Sequence, residues 1–174
     1  MITNNINNIN FKAKYIDTAI IKKRNMFVYK PISVNIVEFD RNNSTDIMAC
    51  RKVISDFGNM MKSDHPEGVR FWGLTTQKDN FDKIDPNSFL GIMKFFNIGY
   101  DEMIISTLQT KPETQYSHFG TNREFKGVGK ALIEKIKSMK GDKTIRLVPL
   151  LNVIPFYEKL GFLHENNDVN SIWM

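Results

Sequence analysis

Short apolar segments alternate with polar turns along most of the chain, and their spacing separates strands from helices. Segments rich in β-branched and aromatic residues, bounded by turn residues, predict strands. Segments in which apolar residues recur every three to four positions predict helices. The pattern predicts strands at 29–40, 69–77, 88–97, 103–110, 144–148 and 169–174, helices at about 43–61 and 128–140, and a short third helix from Pro155 to Gly161.

This order of elements, β-α-β-β-β-α-β-α-β, predicts an α/β fold with a mixed sheet and helices on its faces. The strands at 69–77 and 88–97 are expected to form an antiparallel hairpin with a long loop. No repeat or linker divides the 174 residues, so we interpret 1–174 as one domain. Residues 1–28 show the weakest secondary-structure pattern in the chain. They are treated as an N-terminal extension in which Ile16, Ile20 and Ile21 weakly suggest a helix face.

A glycine turn precedes the helix at 128–140. Gly127 and Gly129 have no Cβ atom, so the backbone can approach a ligand closely there. The first amides of the following helix point outward, and the helix dipole favours an anion at that end. Lys126 and Lys130 add positive charge. The turn therefore predicts a phosphate site, although the same glycines also fit an ordinary helix entry.

Two better-known phosphate motifs do not fit this turn. A Walker A loop requires glycine where Glu124 stands and Ser or Thr where Ala131 stands. A dinucleotide-binding fingerprint requires a third glycine, and Leu132 occupies that position. Neither motif is present at this turn.

The short third helix offers a tyrosine. Phe156, Leu160 and Phe162 are spaced to bury one face, which is expected to leave Tyr157 turned partly away from the core. A phenol, with a pKa of about 10, is suited to protonating a departing thiolate. The alternative is a core tyrosine whose hydroxyl bonds to backbone.

Together these segments resemble the GNAT superfamily of acyl-CoA-dependent N-acyltransferases. Residues 153–162 are similar to the family's C-terminal signature, an aliphatic pair followed by Phe-Tyr-Glu-Lys-Leu-Gly-Phe. Residues 127–132 match its coenzyme-binding turn, and 108–113 resemble the strand end that precedes the turn. The resemblance extends from about residue 88 to 162. Before that, only the order of elements agrees.

The resemblance implies a GNAT-like central mixed β-sheet, flanked by helices and splayed between the fourth and fifth predicted strands, 103–110 and 144–148. Pro149 suits such an opening because proline removes a donor from the ladder. Acetyl-CoA is the implied co-substrate, with pantetheine bound in the gap like an added strand. The residues assigned to it are Leu108, Gln109, Thr110, Lys126, Gly127, Val128, Gly129, Lys130, Ala131 and Asn152.

The implied reaction is direct attack of a primary amine on the thioester, with Tyr157 as general acid. In many members of the family, a Glu on the fourth strand acts as the general base. The corresponding predicted strand here, 103–110, contains no carboxylate. Glu113, just past the strand end, is the candidate base, and His118 or a water relay are the alternatives. Glu124 stands where the family has Gln or Arg and is expected to point to solvent. Residues 114–122 are interpreted as an insertion beside the active site.

Composition narrows the possible partners. The net charge of +5 comes from dispersed lysines, which suit a solvated surface or an anionic ligand such as coenzyme A. No basic run with interleaved aromatic residues indicates nucleic acid, and no metal-ligand set is predicted. Cys50 is the only cysteine and is interpreted as core filler, so no intrachain disulfide can form. No signal peptide or spanning segment is recognised, and a cytoplasmic location is expected.

The acceptor, a small-molecule or protein amine, cannot be read from the sequence, and a homodimer is left open. Two alternatives remain. One is a non-catalytic coenzyme A-binding or regulatory domain with the same fold. The other is a toxin-like acetyltransferase acting on aminoacyl-tRNA, which only the chain's size and basic pI suggest.

Overall fold

The computed structural model describes residues 13–40, 42–56, 68–82, 84–111, 123–165 and 168–174. Every predicted strand and helix is found within these residues, with ends shifted by a few positions. The helix predicted to reach residue 61 is described only to Asp56, and 57–61 lie outside the described residues. The strands are β1 Lys14–Asn25, β2 Val28–Glu38, β3 Arg70–Thr75, β4 Phe89–Ile98, β5 Glu102–Thr110, β6 Phe125–Lys126, β7 Thr144–Leu147, β8 Leu163–Glu165 and β9 Asp168–Trp173; the helices are α1 Ser44–Asp56, α2 Val128–Met139 and α3 Ile154–Glu158.

The nine described strands form one sheet in the order β6-β1-β2-β3-β4-β5-β7-β9-β8. Only β5 and β7 pair in parallel, and the other described neighbours are antiparallel. A parallel pair needs a crossover connection, and α2 lies in the connection between β5 and β7. The predicted mixed α/β fold and the β3–β4 hairpin are confirmed.

The first strand was not predicted. Residues 14–25 form β1, which pairs with β2 from Lys14 opposite Glu38 to Asn25 opposite Val28, so this part of 1–28 belongs to the sheet. The helix face suggested by three isoleucines is wrong. Ile21 is the only fully buried side chain in β1, so the alternation that reveals a half-buried strand is faint. Residues 1–12 lie outside the described residues.

The sheet separates two apolar clusters. The first packs α2 against the sheet through Val128, Leu132, Ile133 and Ile136, all 3% exposed or less. The second packs α1 against the opposite face. Burying one such side chain fully contributes about 1.5–3 kcal/mol, so each helix is held mainly by its apolar face.

Cys50 lies in the α1 cluster and is 2% exposed. Burial, followed by the nearby charge of Asp46, raises the pKa of its thiol to about 12. A thiol that stays protonated at neutral pH is a poor nucleophile. The interpretation of Cys50 as core filler is confirmed.

The start of α2 sits unusually close to the sheet at Gly91 in β4. A Cβ atom on Gly91 would lie 2.6 Å from Val128 Cγ1 and 3.4 Å from Leu132 Cδ1. A glycine is needed here because the side chains of α2 occupy the space that a Cβ would take.

We expect Gly91→Ala to destabilise the protein by about 1–3 kcal/mol, because the new methyl group overpacks the contact with Val128. Val128→Ala also destabilises, because it leaves a cavity. In the double variant, the shorter side chain makes room for the new methyl group, so its loss should be smaller than the sum by about 1 kcal/mol. Denaturant unfolding of the four proteins measures this coupling, and strict additivity would contradict the close contact.

Candidate active site

The sheet opens between β5 and β7. The two strands pair only over residues 102–105 and 144–147. β7 then ends, followed by the buried Pro149, while β5 continues to Thr110. A bulge at Ser106, which has no counterpart in β4, lies where the pairing with β7 stops. The predicted splay is confirmed, and a bulge commonly redirects a strand at such a place.

The backbone of β5 beyond the bulge presents alternate groups to this opening. The amide of Lys111 donates to the carbonyl of Leu90 in the β4 strand over 2.9 Å. Amide directions alternate along a strand, so the backbone groups of Leu108 and Thr110 face away from β4, toward the β7 side. An extended ligand could bond to them as an added strand would.

The glycine turn forms the N-terminus of α2. Gly127 is the N-cap residue, with φ of +90°, and no side chain caps the helix. The first amide in an intrahelical bond is that of Ala131, which donates to the Gly127 carbonyl over 2.9 Å. The amides of Val128, Gly129 and Lys130 therefore precede the first helical bond, which is the arrangement that binds anions in proteins.

Three segments singled out in the sequence meet at Gly129. A Cβ atom built there would lie 3.3 Å from Phe156 Cζ, 3.6 Å from Leu108 Cδ2 and 3.8 Å from Thr110 Cγ2. The turn, the end of β5 and α3 are thus within van der Waals contact of one point. The sequence places these segments far apart, and the parallel β5–β7 crossover brings them together.

Tyr157 lies deeper than expected. It is 7% exposed and belongs to the apolar cluster under α2, rather than being turned partly away from it. Its ring makes edge contacts with Phe156, at 4.9 Å between centroids, and with Phe162, at 5.6 Å. Burial raises the pKa of its phenol to about 12. Its packing is that of a core tyrosine, and its role as general acid stays a prediction.

The proline and glycine from which the third helix was predicted lie at its two ends. Pro155 lies in its first turn, where a missing amide costs little. Gly161 has φ of +88°, and the Phe162 amide donates to the Tyr157 carbonyl over 3.1 Å. This left-handed C-terminal cap ends the helix and fixes the position of Tyr157.

Positive charge surrounds the turn. Lys126 Nζ lies 3.8 Å from the centroid of the Tyr29 ring, and Lys130 is exposed. Glu124 is exposed and forms an ion pair of 3.4 Å with Lys23, in agreement with the expectation that it points to solvent. The one carboxylate close to the turn in sequence is thus balanced by a lysine.

The remaining candidate residues fall into two groups, those that the structure describes and those that lie outside the described residues. Gln109 is buried, and Asn152 is exposed in the 3-10 turn before α3. Glu102 lies at the far end of β5 and pairs with Arg146 over 3.2 Å, which makes it unsuitable as a base at the opening. Glu113, His118 and the insertion at 114–122 lie outside the described residues. Sequence reasoning missed the Ser106 bulge, and it assigned Phe156 to the buried face of the third helix without its contact with the turn at Gly129. Neither a bulge nor a contact between distant segments has a sequence signal here.

No family model and no curated protein matches this chain. Solved structures do match. Escherichia coli ElaA is 11% identical, with 81% of this chain and 97% of that chain covered and a TM-score of 0.53. A Desulfovibrio desulfuricans protein assigned to the GNAT family of acetyltransferases is 15% identical, with 79% and 96% covered and a TM-score of 0.50.

This chain has the GNAT fold. A Bacillus subtilis N-acetyltransferase in complex with coenzyme A also matches, at 19% identity over 60% of this chain and 66% of that chain, with a TM-score of 0.41. For two of the matched structures, this chain covers only 60% and 66% of the matched protein's length. At these identities the likeness establishes the fold and not an activity. In the described part of the chain, no helix has the length and apolar character needed to span a membrane.

We expect Gly127→Ala to lower the free energy of unfolding by about 1–2 kcal/mol, because its left-handed φ penalises a Cβ atom although the space around it is open. Gly129→Ala is the comparison, because its φ is not left-handed and its new methyl group requires only a small shift of the Phe156 ring, whose Cζ lies 3.3 Å away. Thermal unfolding of both variants measures the difference. Equal losses would contradict the assigned backbone geometry.

Proposed function

We propose that this protein is an acyl-CoA-dependent N-acyltransferase that transfers an acetyl group to a primary amine. One observation carries the proposal. The uncapped N-terminus of α2, the end of β5 and α3 are in contact around Gly129, where the pairing of β5 with β7 has ended. The GNAT fold and the three matching segments support it. The acceptor is a small molecule or a protein amine.

Each segment takes one part of the co-substrate. The amides of Val128, Gly129 and Lys130 bind the diphosphate, where the helix dipole and nearby lysines favour negative charge. The backbone groups of Leu108 and Thr110 hold pantetheine as an added strand and direct the thioester into the opening. Holding both reactants in the gap lowers the entropic cost of the reaction.

The reaction is a direct displacement. The amine nitrogen bonds to the thioester carbon, the carbon–sulfur bond breaks, and the electron pair leaves with sulfur. A backbone amide of β5 stabilises the negative charge that develops on the carbonyl oxygen. The proton lost by the attacking nitrogen balances the thiolate that departs, so no further reactant is required.

The burial of Tyr157 refines its predicted role. A thiol has a pKa of about 8.5, so its thiolate does not readily take a proton from a phenol whose pKa is about 12. The phenol instead stays protonated at neutral pH and donates a hydrogen bond to the developing thiolate. Glu113 remains the candidate base, with a water relay as the alternative.

A second candidate is a coenzyme A-binding domain without catalysis. The observation that favours it is the same burial of Tyr157, because a phenol within a core packs well whether or not it touches a substrate. Binding and turnover must therefore be measured separately.

Gly129→Val is expected to weaken acetyl-CoA binding by tenfold or more, an order-of-magnitude figure for blocking backbone approach at a built anion site. The larger side chain enters the space between the turn, Leu108 and Phe156. Calorimetry measures the dissociation constant. Ser138→Val, at an exposed position near the far end of α2, is the control that adds a β-branched side chain to the same helix away from the turn. Unchanged binding in Gly129→Val would contradict the assigned diphosphate position.

Tyr157→Phe is expected to lower the rate of thiol release by about 10²-fold, while the dissociation constant for acetyl-CoA changes little. The substitution keeps the ring contacts and removes only the hydroxyl. The measurement is thiol release with a panel of amines, together with binding of acetyl-CoA. Binding without turnover in the wild type, for every amine, would favour the non-catalytic domain.

The pH profile provides the control for this variant. The raised pKa means that the phenol remains protonated, and able to donate, up to about pH 11, so Tyr157 should cause no loss of rate between pH 7 and pH 10. Any rise of rate with pH in that range reports the amine or its base and should persist in Tyr157→Phe. An alkaline loss present in the wild type and absent from the variant would contradict the protonated role.

A further inference from the structure

The turn between β1 and β2 carries three exposed apolar side chains. Met26 is 82% exposed, Phe27 is 91% exposed and Val28 is 60% exposed. Asn25 pairs with Val28 at the end of the ladder, so Met26 and Phe27 form the turn itself. Single exposed apolar residues are common on protein surfaces, but three in succession at the end of a hairpin form one projecting apolar surface. We call these three residues the hairpin tip.

The hairpin tip lacks the residues that such a turn favours. Two-residue hairpin turns favour glycine, asparagine or aspartate where φ is positive. Met26 has φ of +54°, which is unfavourable for a residue with a Cβ atom. The Arg24 side chain donates a hydrogen bond from Nε to the Met26 carbonyl over 2.8 Å and so braces the turn. An apolar pair therefore occupies a turn that polar residues would fit better, which indicates that these side chains bind something outside the chain.

Positive charge lies directly behind the hairpin tip. Residues 22–30 contain no carboxylate and four cations, which are Lys22, Lys23, Arg24 and Lys30. Lys23 lies opposite Lys30 in the ladder and forms an ion pair with Glu124, and Lys22 and Lys30 are exposed. Lys30 follows Phe27 by three residues, so at about 3.3 Å per residue it lies about 10 Å behind the turn.

This arrangement matches the layers of an anionic membrane surface. Apolar side chains of interfacial proteins reach about 5–10 Å into the boundary between the lipid headgroups and the acyl chains. Lysines near the headgroups are attracted by the negative surface potential of anionic lipids. An apolar tip with lysines about 10 Å behind it places each kind of side chain in the layer that stabilises it.

Nucleic acid and a protein partner fit the hairpin tip less well. Base stacking requires aromatic faces, and Met26 and Val28 have none. The neighbouring Tyr29 ring is already in contact with the Lys126 ammonium, which lies 3.8 Å from its centroid. A stable protein interface buries about 800 Å² on each partner, and three side chains of at most about 250 Å² each offer less.

We propose that the β1–β2 hairpin is a membrane anchor that inserts Met26, Phe27 and Val28 into an anionic lipid surface. The attachment is peripheral and reversible, because three apolar side chains bury much less area than a spanning segment. The proposal goes beyond the acyltransferase function and does not depend on it. Lys22 pairs with Lys126 in the β1–β6 ladder, so membrane binding would hold the start of α2 within about 20 Å of the lipid surface.

The first test uses a variant that removes the apolar tip and improves the turn. Met26→Gly/Phe27→Asn should unfold at the same or a higher temperature, because glycine relieves the positive φ. It should bind vesicles of phosphatidylcholine with about 30% phosphatidylserine at least tenfold more weakly than the wild type, because two apolar side chains are lost. Cosedimentation measures the binding. Ile20→Thr is the matched control, because it removes an exposed apolar side chain from β1 away from the tip and should leave binding unchanged.

The second test concerns the charge behind the tip. Lys30→Gln should weaken binding to the same vesicles by about fivefold at low salt, with a smaller effect at high salt. Lys14→Gln removes the same charge at the far end of β1 and should have little effect. Vesicles of phosphatidylcholine alone should bind the wild type at least tenfold more weakly than the anionic vesicles.

Several results would overturn the membrane anchor. Equal vesicle binding by the wild type and Met26→Gly/Phe27→Asn would do so, and so would equal effects of Lys30→Gln and Lys14→Gln. Binding of single-stranded RNA that is lost in the tip variant, without vesicle binding, would assign the tip to nucleic acid. Self-association lost in that variant, again without vesicle binding, would assign it to a second copy of the chain. Acetyl-CoA binding and turnover test the acyltransferase proposal separately.

Discussion

The close seating of the α2 N-terminus on the sheet is the contact on which the candidate site depends. Gly91 lets Val128 approach β4, and Gly129 lets the turn approach Leu108 and Phe156. Both contacts are possible because glycine has no Cβ atom. At Gly91 this lets the helix pack on the sheet, and at Gly129 it places the first amides of the helix beside the end of β5. The apolar face of α2 supplies the free energy that keeps this arrangement.

The opening of the sheet follows from the same geometry. A parallel β5–β7 pair requires a crossover, and α2 lies in it. The pair lasts four residues, after which the Ser106 bulge and the end of β7 separate the two strands. The backbone of Leu108 and Thr110 is consequently turned toward a gap bordered by the α2 N-terminus. The strand separation and the uncapped N-terminus of α2 thus lie at one place because one helix connects the two strands.

Charge is arranged around this place in a consistent way. Lysines from β1, β6 and the start of α2 surround the turn, and the carboxylate nearest to it in sequence, Glu124, is drawn to Lys23. The buried chemistry is different. Tyr157 and Cys50 lie in apolar surroundings that keep both protonated near neutral pH. Several lysines therefore lie at the surface beside the turn, whereas the Tyr157 and Cys50 side chains in the core are neutral.

The sequence alone was sufficient for features that depend on local chemistry. Alternation and helical spacing predicted the principal strands and helices, glycines predicted the turn and the end of α3, and the signature around Tyr157 indicated the fold. β1 escaped notice because a strand near an edge buries few side chains, and β6 and β8 are too short to carry a pattern. Only the tertiary structure decided that Gly129 touches β5 and α3, that Tyr157 is buried, and that Lys22 opposes Lys126. Those facts depend on which distant segments pack together, and periodicity within a segment does not report its neighbours.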